Sequence, residues 1–211
     1  MSEYDKFAEN WDKTRVKPWP EFDVFFPLIQ KGDRLLDLGC GNGRLRQFLP
    51  NNLVRSGDYF GFDLSVELLK IARQNHPRDS FFKGDFSTPL PFGADNFDWV
   101  VSIAAFHHLL EPSAQKVFLN EVYRVLKPGG KVFLTTWVLP KKYFWMNFWR
   151  GRVFTKNWIV PFGKEKHVRT YRYVNENDLK GLLTKAGFVV EKAERFEERN
   201  FIILASKSKK K

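Results

Sequence analysis

The chain has 211 residues, 35 Lys and Arg against 24 Asp and Glu, a formal net charge of +11 and one cysteine. That length can bury one α/β core and is too short for two. No run approaches the ~18 apolar residues of a membrane span, and the charged N-terminus lacks a signal-peptide core. Cys40 has no partner for an internal disulfide, and no Cys/His cluster has zinc spacing. A soluble protein of a reducing compartment, the cytoplasm, is therefore expected. The charge is also localised. Residues 140–172 hold nine Lys and Arg against Glu165 alone, and Lys207, Lys209, Lys210 and Lys211 end the chain, leaving the rest close to neutral. Such a distribution points to a polyanionic partner.

In chain order, residues 3–15 read as a charged helix with Tyr4, Phe7, Ala8 and Trp11 on one face. Pro18 and Pro20 then enforce an extended path. Phe22, Phe25, Phe26 and Leu28 begin a second apolar element that ends near Lys31-Gly32. No strand lies N-terminal to residue 34, so these N-terminal elements are expected to cover the ligand edge of a sheet. Strand 1 (34–38) leads through a glycine-rich turn into a helix over 43–50. Strand 2 (59–63) precedes a helix over 65–76, with Ser65 as N-cap and Leu68, Leu69 and Ala72 facing the core. Strand 3 (80–83) ends at Gly84-Asp85. Strand 4 (97–104) is followed by a helix over 113–126, and Lys127-Pro128-Gly129-Gly130 reads as a sharp turn into strand 5 (131–137). A helix over 176–186 leads to strands 188–196 and 199–206, joined at Glu197-Glu198. This alternation predicts one α/β domain with a mostly parallel sheet, closed by a late antiparallel pair. Its divisions are an N-terminal cap (1–31), a core (32–139), a basic and aromatic segment (140–172), a helix and hairpin (173–206), and a lysine tail (207–211) expected to be disordered.

The stretch that organises the chain is Asp37-Leu38-Gly39-Cys40-Gly41-Asn42-Gly43. Glycine permits positive φ and lets a ligand meet the backbone directly, and the helix after it presents free amides to that ligand. The spacing is G-x-G-x-G, whereas the dinucleotide fingerprint is G-x-G-x-x-G. Asp63 ends strand 2, where an acid accepts ribose hydroxyls; on its own it would read as a helix cap before Leu64-Ser65. Asp85 ends strand 3, with Phe86 beside it. Cys40 reads as a small residue packed in the turn rather than a nucleophile. Three acids at the ends of three successive strands, behind this turn, resemble the core of the class I S-adenosylmethionine-dependent methyltransferases. The resemblance runs from residue 34 to residue 137 and includes Leu126-Lys127-Pro128-Gly129-Gly130. It implies a Rossmann-like seven-stranded sheet with helices on both faces and an antiparallel C-terminal strand. It also implies S-adenosylmethionine as cofactor, S-adenosylhomocysteine as product and no metal. The implied cofactor residues are Asp37, Gly39, Gly41, Gly43, Asp63, Leu64, Asp85, Phe86 and Ala104, with residues 32–139 as the cofactor-binding core.

Within that class, Phe7-Ala8-Glu9-Asn10-Trp11-Asp12-Lys13-Thr14-Arg15-Val16-Lys17-Pro18-Trp19-Pro20 resembles the N-terminal signature of the tRNA wobble-uridine methyltransferases. Ser102-Ile103-Ala104-Ala105-Phe106-His107-His108-Leu109, the strand 132–137 and Arg169-Thr170-Tyr171-Arg172-Tyr173 are similar to further motifs of that family. Members methylate the carboxylate of 5-carboxymethyluridine, and eukaryotic ones work with a small zinc-containing activator subunit. The resemblance implies the tRNA anticodon loop as substrate, Arg15, His107, His108 and Arg169 as catalytic residues, and Trp19, Trp137, Tyr171 and Arg172 as substrate-binding ones. Which histidine faces the substrate stays open. A carboxylate, with a reference pKa near ~4, is already nucleophilic at neutral pH, so the site needs alignment rather than a strong base. Arginine suits that task because its planar fork binds a carboxylate bidentately.

The nine aromatic residues among 140–172 fit single-stranded RNA, an interfacial helix on an anionic membrane, or a lid over the site. Two other functions compete: a methyltransferase for a small or lipid-soluble acceptor, and a catalytically silent nucleic-acid-binding or scaffold protein on the same fold.

Overall fold

β1 (Leu35–Leu38) is buried at every position, as expected of a strand with neighbours on both sides and helices on both faces. It pairs in parallel with β2 (Tyr59–Asp63) and β4 (Phe97–Ile103). β2 pairs in parallel with β3 (Ser80–Lys83), and β4 with β5 (Leu126–Trp137). β9 (Asn200–Lys207) runs antiparallel to both β5 and β8 (Phe188–Phe196), giving the strand order β3-β2-β1-β4-β5-β9-β8. This computed structural model describes residues 3–138, 141–149, 156–162, 167–197 and 200–209. The expected seven-stranded, mostly parallel sheet is what the chain forms, with one antiparallel strand near its C-terminus.

Alternate strand residues feed two cores. Leu36, Leu38, Val100, Val132 and Leu134 pack against Phe118, Leu119 and Val122 of α5 (Pro112–Val125) and against Leu179 and Leu183 of α7 (Glu176–Lys185). On the opposite face, Leu35, Val101 and Phe133 meet Phe22 and Phe25 of α2 (Glu21–Phe25), Leu45 of α3 (Arg44–Phe48), and Leu69 and Ala72 of α4 (Val66–Asn75). The strand order reverses direction between β1 and β4. Ligands of open α/β sheets bind at such a switch point, beyond the carboxyl ends of the strands.

Several local expectations are corrected. Residues 3–15 do not form one helix: a 3-10 turn, Glu3–Phe7, breaks at Phe7 (φ −140°, ψ 26°) before α1 (Ala8–Lys13). The first N-terminal element does lie over the sheet edge, but α2 lies on a sheet face, where the Phe25 ring stacks on Phe133 at 5.0 Å. α3 is shorter than the expected 43–50 because Pro50 holds Leu49 extended (ψ 123°). Lys127–Gly130 is drawn into the start of β5, with Leu126 opposite Phe97, rather than standing outside it as a turn. Lys207 is no part of a disordered tail. It closes β9, and its Nζ donates to Asp95 Oδ1 and to the Leu126 carbonyl at 2.7 Å each.

The segment 140–172 carries structure that the composition hid. It contains α6 (Lys141–Phe148) and a two-stranded hairpin of β6 (Asn157–Phe162) and β7 (His167–Arg172). Arg150, Arg152, Phe154, Lys164, Glu165, Lys166, Lys210 and Lys211 lie outside the described residues. Among the described residues, no helix is long and apolar enough to cross a membrane, and no cluster of His, Cys, Asp or Glu is arranged to hold a metal ion.

Candidate active site

At the switch point the chain leaves β1 in a turn whose Gly39, Gly41 and Gly43 have φ of +84°, +54° and +79°. Gly39 is the tightest position. A Cβ there would stand 2.4 Å from the Ala105 Cβ, so only glycine lets the turn pass under the loop after β4. The Gly39 amide donates to the Phe62 carbonyl (2.8 Å) and the Gly41 amide to Asp63 Oδ2 (2.8 Å). Asp63 Oδ1 accepts from the Ser65 amide (2.8 Å). Burial raises the Asp63 carboxyl above its usual range, while those amide donors oppose the shift. Asp37 is fully buried, and its Oδ2 accepts from the Tyr59 hydroxyl (2.6 Å). Burial pushes its carboxyl up to about 7, against the Tyr59 hydrogen bond and with the Asp63 charge adding to the rise.

Beside this turn lies a pocket of about 270 Å³, lined by Leu64, Asp85, Phe86, Ser87, His108 and Leu109 among others. The Ser87 amide donates to Asp85 Oδ1 (2.8 Å), which fixes that carboxylate in an Asx turn at the pocket wall. Ala104, at the end of β4, takes φ +53° and is held there by its amide bond to Thr135 Oγ1 (2.9 Å). A left-handed alanine carries about 1 kcal/mol of strain, and such strain gathers at functional sites.

A second cluster forms where the loop after β4 meets β7 and the N-terminal cap. His107 is buried, with its ring edge-to-face on Tyr171 at 4.4 Å and tilted 34° to Trp137 at 5.8 Å. Its Nδ1 finds no hydrogen-bond partner among the described residues. His108 also meets Tyr171 (4.8 Å), and its Nε2 shares a hydrogen bond with the Tyr4 hydroxyl (3.0 Å). Arg169, only 2% exposed, places its guanidinium 5.1 Å from Tyr171, 5.6 Å from Trp137 and 5.7 Å from Trp11. Arg15 lies over Trp11 at 3.8 Å. Burial, and then repulsion from Arg169, lowers its affinity for the proton. Two like charges are thus held together inside an aromatic cage. Burial and the Arg169 charge also bring His108 down to about 3; His107 is depressed as well, by burial, His108 and Arg169. Both imidazoles are neutral at physiological pH.

Of the residues singled out from the sequence, Arg15, His107, His108, Trp137, Arg169 and Tyr171 converge in this cluster. Asp37, Gly39, Gly41, Gly43, Asp63, Leu64, Asp85, Phe86 and Ala104 gather along the adjoining turn and pocket. Two stand apart. Trp19 packs on Phe22 and under the Arg44 guanidinium (4.2 Å), and Arg172 turns its Nη1 to the Leu110 carbonyl (2.9 Å) and Asn157 Oδ1 (3.3 Å). Sequence reasoning missed Tyr4, Asp5 and Trp11 as site residues. Trp11 and Arg15 have i, i+4 spacing, which would have put them on one face. Asp5 Oδ1 accepts from Ser65 Oγ (2.6 Å) and the Glu67 amide (3.3 Å), tying the cap to the start of α4, and no local pattern announces that.

The sheet order and the glycine turn at its switch point are those of the class I methyltransferase fold, and residues 36–134 match the family model described as a methyltransferase domain. That match, over just under half of the chain, gives it a methyltransferase domain, and its fold is that of the class I S-adenosylmethionine-dependent enzymes. Among curated relatives it is 34% identical, over 139 residues, to a tRNA (carboxymethyluridine(34)-5-O)-methyltransferase of Schizosaccharomyces pombe. That match takes in 66% of this chain, and the chain spans 57% of that relative's length. It is 26% identical to a demethylmenaquinone methyltransferase of Symbiobacterium thermophilum, over 88% of this chain and 83% of that one. Among solved structures, a methyltransferase in complex with the Haloferax volcanii Trm112 methyltransferase activator has a TM-score of 0.73 at 20% identity, covering 99% of this chain and 97% of that one.

Proposed function

We propose that this protein is a cytoplasmic methyltransferase that esterifies the carboxylate of a 5-carboxymethyl-type wobble uridine in tRNA. The observation that carries the reading is the pairing of Arg15 and Arg169 in one aromatic cage, flanked by two neutral histidines. A carboxylate entering between two guanidinium groups relieves their mutual repulsion and gains bidentate hydrogen bonds. A phenolic acceptor, with a reference pKa near ~10, would need its proton removed, and an imidazole whose conjugate acid has a pKa of about 3 is a poor base for that. The S. pombe relative supports the same acceptor.

The donor side fits S-adenosylmethionine. Gly39 leaves bare backbone, and Asp63 has lone pairs to spare after its two amide donors. Leu64, Phe86 and Leu109 offer apolar walls to an adenine, with the Asp85 carboxylate available to its amino group. When bound, the cofactor supplies a sulfonium methyl group, whose transfer to a carboxylate gives an ester and a thioether with no proton to move. Arg15 and Arg169 then orient the acceptor, Trp137 and Tyr171 exclude water, and His107 Nδ1 is available to a substrate oxygen. The Haloferax neighbour supports an activator subunit of the Trm112 kind as partner.

The larger shared span with the Symbiobacterium enzyme favours one second reading, a small or lipid-soluble acceptor. Transfer of labelled methyl to total tRNA, with and without mild alkali, separates the two. Alkali-labile label is expected. Alkali-stable label, or transfer only to a quinol, overturns the carboxylate reading.

A further inference from the structure

The outer edge of α6 takes no part in the site described above. Its inner side is fixed by Asn147, which is fully buried. Asn147 accepts the Ile159 amide at Oδ1 (2.9 Å) and donates from Nδ2 to the Ile159 carbonyl (3.3 Å) and the Tyr143 carbonyl (2.8 Å). One amide side chain thus pairs with β6 as a neighbouring strand would. Ile159 stands opposite Thr170 in the β6–β7 register, next to Arg169. α6 is therefore held in fixed relation to the strand that carries the buried arginine.

The outer edge presents Trp145, Phe148 and Trp149 at 55%, 45% and 80% exposure. Phe148 meets Trp145 and Trp149 edge-on, at 77° and 82°, and stacks on Phe144 at 6.2 Å, so the open ring surface belongs mainly to Trp145 and Trp149. In sequence, the stretch 141–152 has four basic residues, Lys141, Lys142, Arg150 and Arg152, and no acid. Lys156, just beyond, is held by Asp178 (2.7 Å).

We propose that this edge of α6 is a stacking surface for single-stranded RNA, holding bases that neighbour the nucleotide methylated in the cage. The inference rests on the tRNA reading and adds where the rest of the loop lies. Every base has a π face, so exposed rings bind bases without reading sequence, and a stretch of sequence that is basic and free of acids suits a polyanion. The Asn147 clamp makes the surface a fixed ruler: bases stacked on Trp145 and Trp149 set the reach of the next nucleotide toward Arg169. A membrane fits less well. α6 has eight residues, about 12 Å at 1.5 Å per residue, and one of its sides is already committed to β6, whereas interfacial helices sink a broad apolar face.

The test uses the full chain carrying Trp145→Ala and Trp149→Ala together. Stacking of one base is worth roughly 5- to 100-fold in affinity. Binding of an anticodon stem–loop, read by fluorescence anisotropy, should weaken at least tenfold. Affinity for S-adenosylmethionine and methylation of the free nucleoside 5-carboxymethyluridine should stay unchanged, and the Trp→Phe pair should restore RNA binding. Unaltered RNA affinity in the alanine variant overturns the proposal. So does binding of the parent protein to phosphatidylglycerol vesicles, but not to RNA, with loss in the variant. If no carboxymethyluridine is methylated yet RNA binding still depends on the two tryptophans, the acceptor assignment falls and the stacking surface stands.

Discussion

On the β1–β2–β3 side of the rim, the candidate ligand surface is backbone: three glycines at positive φ, amides satisfied by Phe62 and Asp63, and a gap at Gly39 with no room for a Cβ. On the β4–β5–β7 side it is side chain: Arg15, Arg169, His107, Tyr171 and Trp137, drawn from distant parts of the chain into one cage. The first surface is centred on one contiguous turn, with the ends of β2 and β3 beside it, and tolerates little change of shape. The second is set by charge and ring placement and can be altered without disturbing the first. A common donor with many acceptors calls for such a division.

The largest expected effect tests the side-chain half. Arg169→Ala should lower kcat/KM for the RNA acceptor at least about 30-fold, as truncating one partner of a buried charge pair costs roughly 2–5 kcal/mol. Calorimetric affinity for S-adenosylmethionine should stay within about twofold. Arg169→Lys should recover little, because a point charge lacks the fork. A parallel loss of cofactor affinity would show that the two halves are not separable.

Next comes the backbone half. Gly39→Ala meets both a positive φ and a 2.4 Å contact. It should destabilise the fold by about 2–3 kcal/mol, seen as a drop in Tm of roughly 5–10 °C, and weaken cofactor binding. A variant as stable as the parent would mean that the loop at Ala105 yields.

A smaller effect separates burial from function at Asp37. Its folded pKa is about 7, against roughly 4 when unfolded. Between those values the folded state keeps a proton that the unfolded state releases. Its stabilisation is therefore full below about pH 4 and is lost as pH rises through 7. Asp37→Asn should raise Tm relative to the parent at pH 8 and change it little at pH 4.5. An equal shift at both would mean that the carboxyl is ionised in the fold.

The smallest expectation is a null. With His108 at about 3 and His107 also depressed, kcat/KM of the Asp37→Asn variant, which lacks the carboxyl that titrates near 7, should be flat from pH 6 to 8. A limb near 6.5 would make a histidine the base and bring the phenolic acceptor back.

Legibility in the sequence followed the same division. The glycine turn and the acids at 37, 63 and 85 could be read because motif and strand ends are local patterns. The Arg15–Trp11 contact was half visible in its i, i+4 spacing. The β6–β7 hairpin was not, because lysines and aromatics dominate its surroundings and Pro161 argues against a strand; as one of only two strands it leaves that residue at an edge, where proline is tolerated. Lys207 read as solvated tail because its partners Asp95 and Leu126 lie far away in the chain. Arg172 read as a substrate ligand, and its Nη1 bonds the carbonyl of Leu110 in the pocket wall, a contact between residues 62 apart that no local pattern announces.

The bond between Asn200 and Glu21 spans 179 residues, and the one between Tyr4 and His108 spans 104. Loop closure over such distances is among the slower demands on a folding chain. As the protein leaves the ribosome, the glycine turn and its neighbouring strands have their partners early. The cage must wait for β7 to arrive and for the cap to return to it. Competence toward an acceptor therefore follows the donor half in biosynthesis, and a chain that ends before β7 holds at most that half of a site.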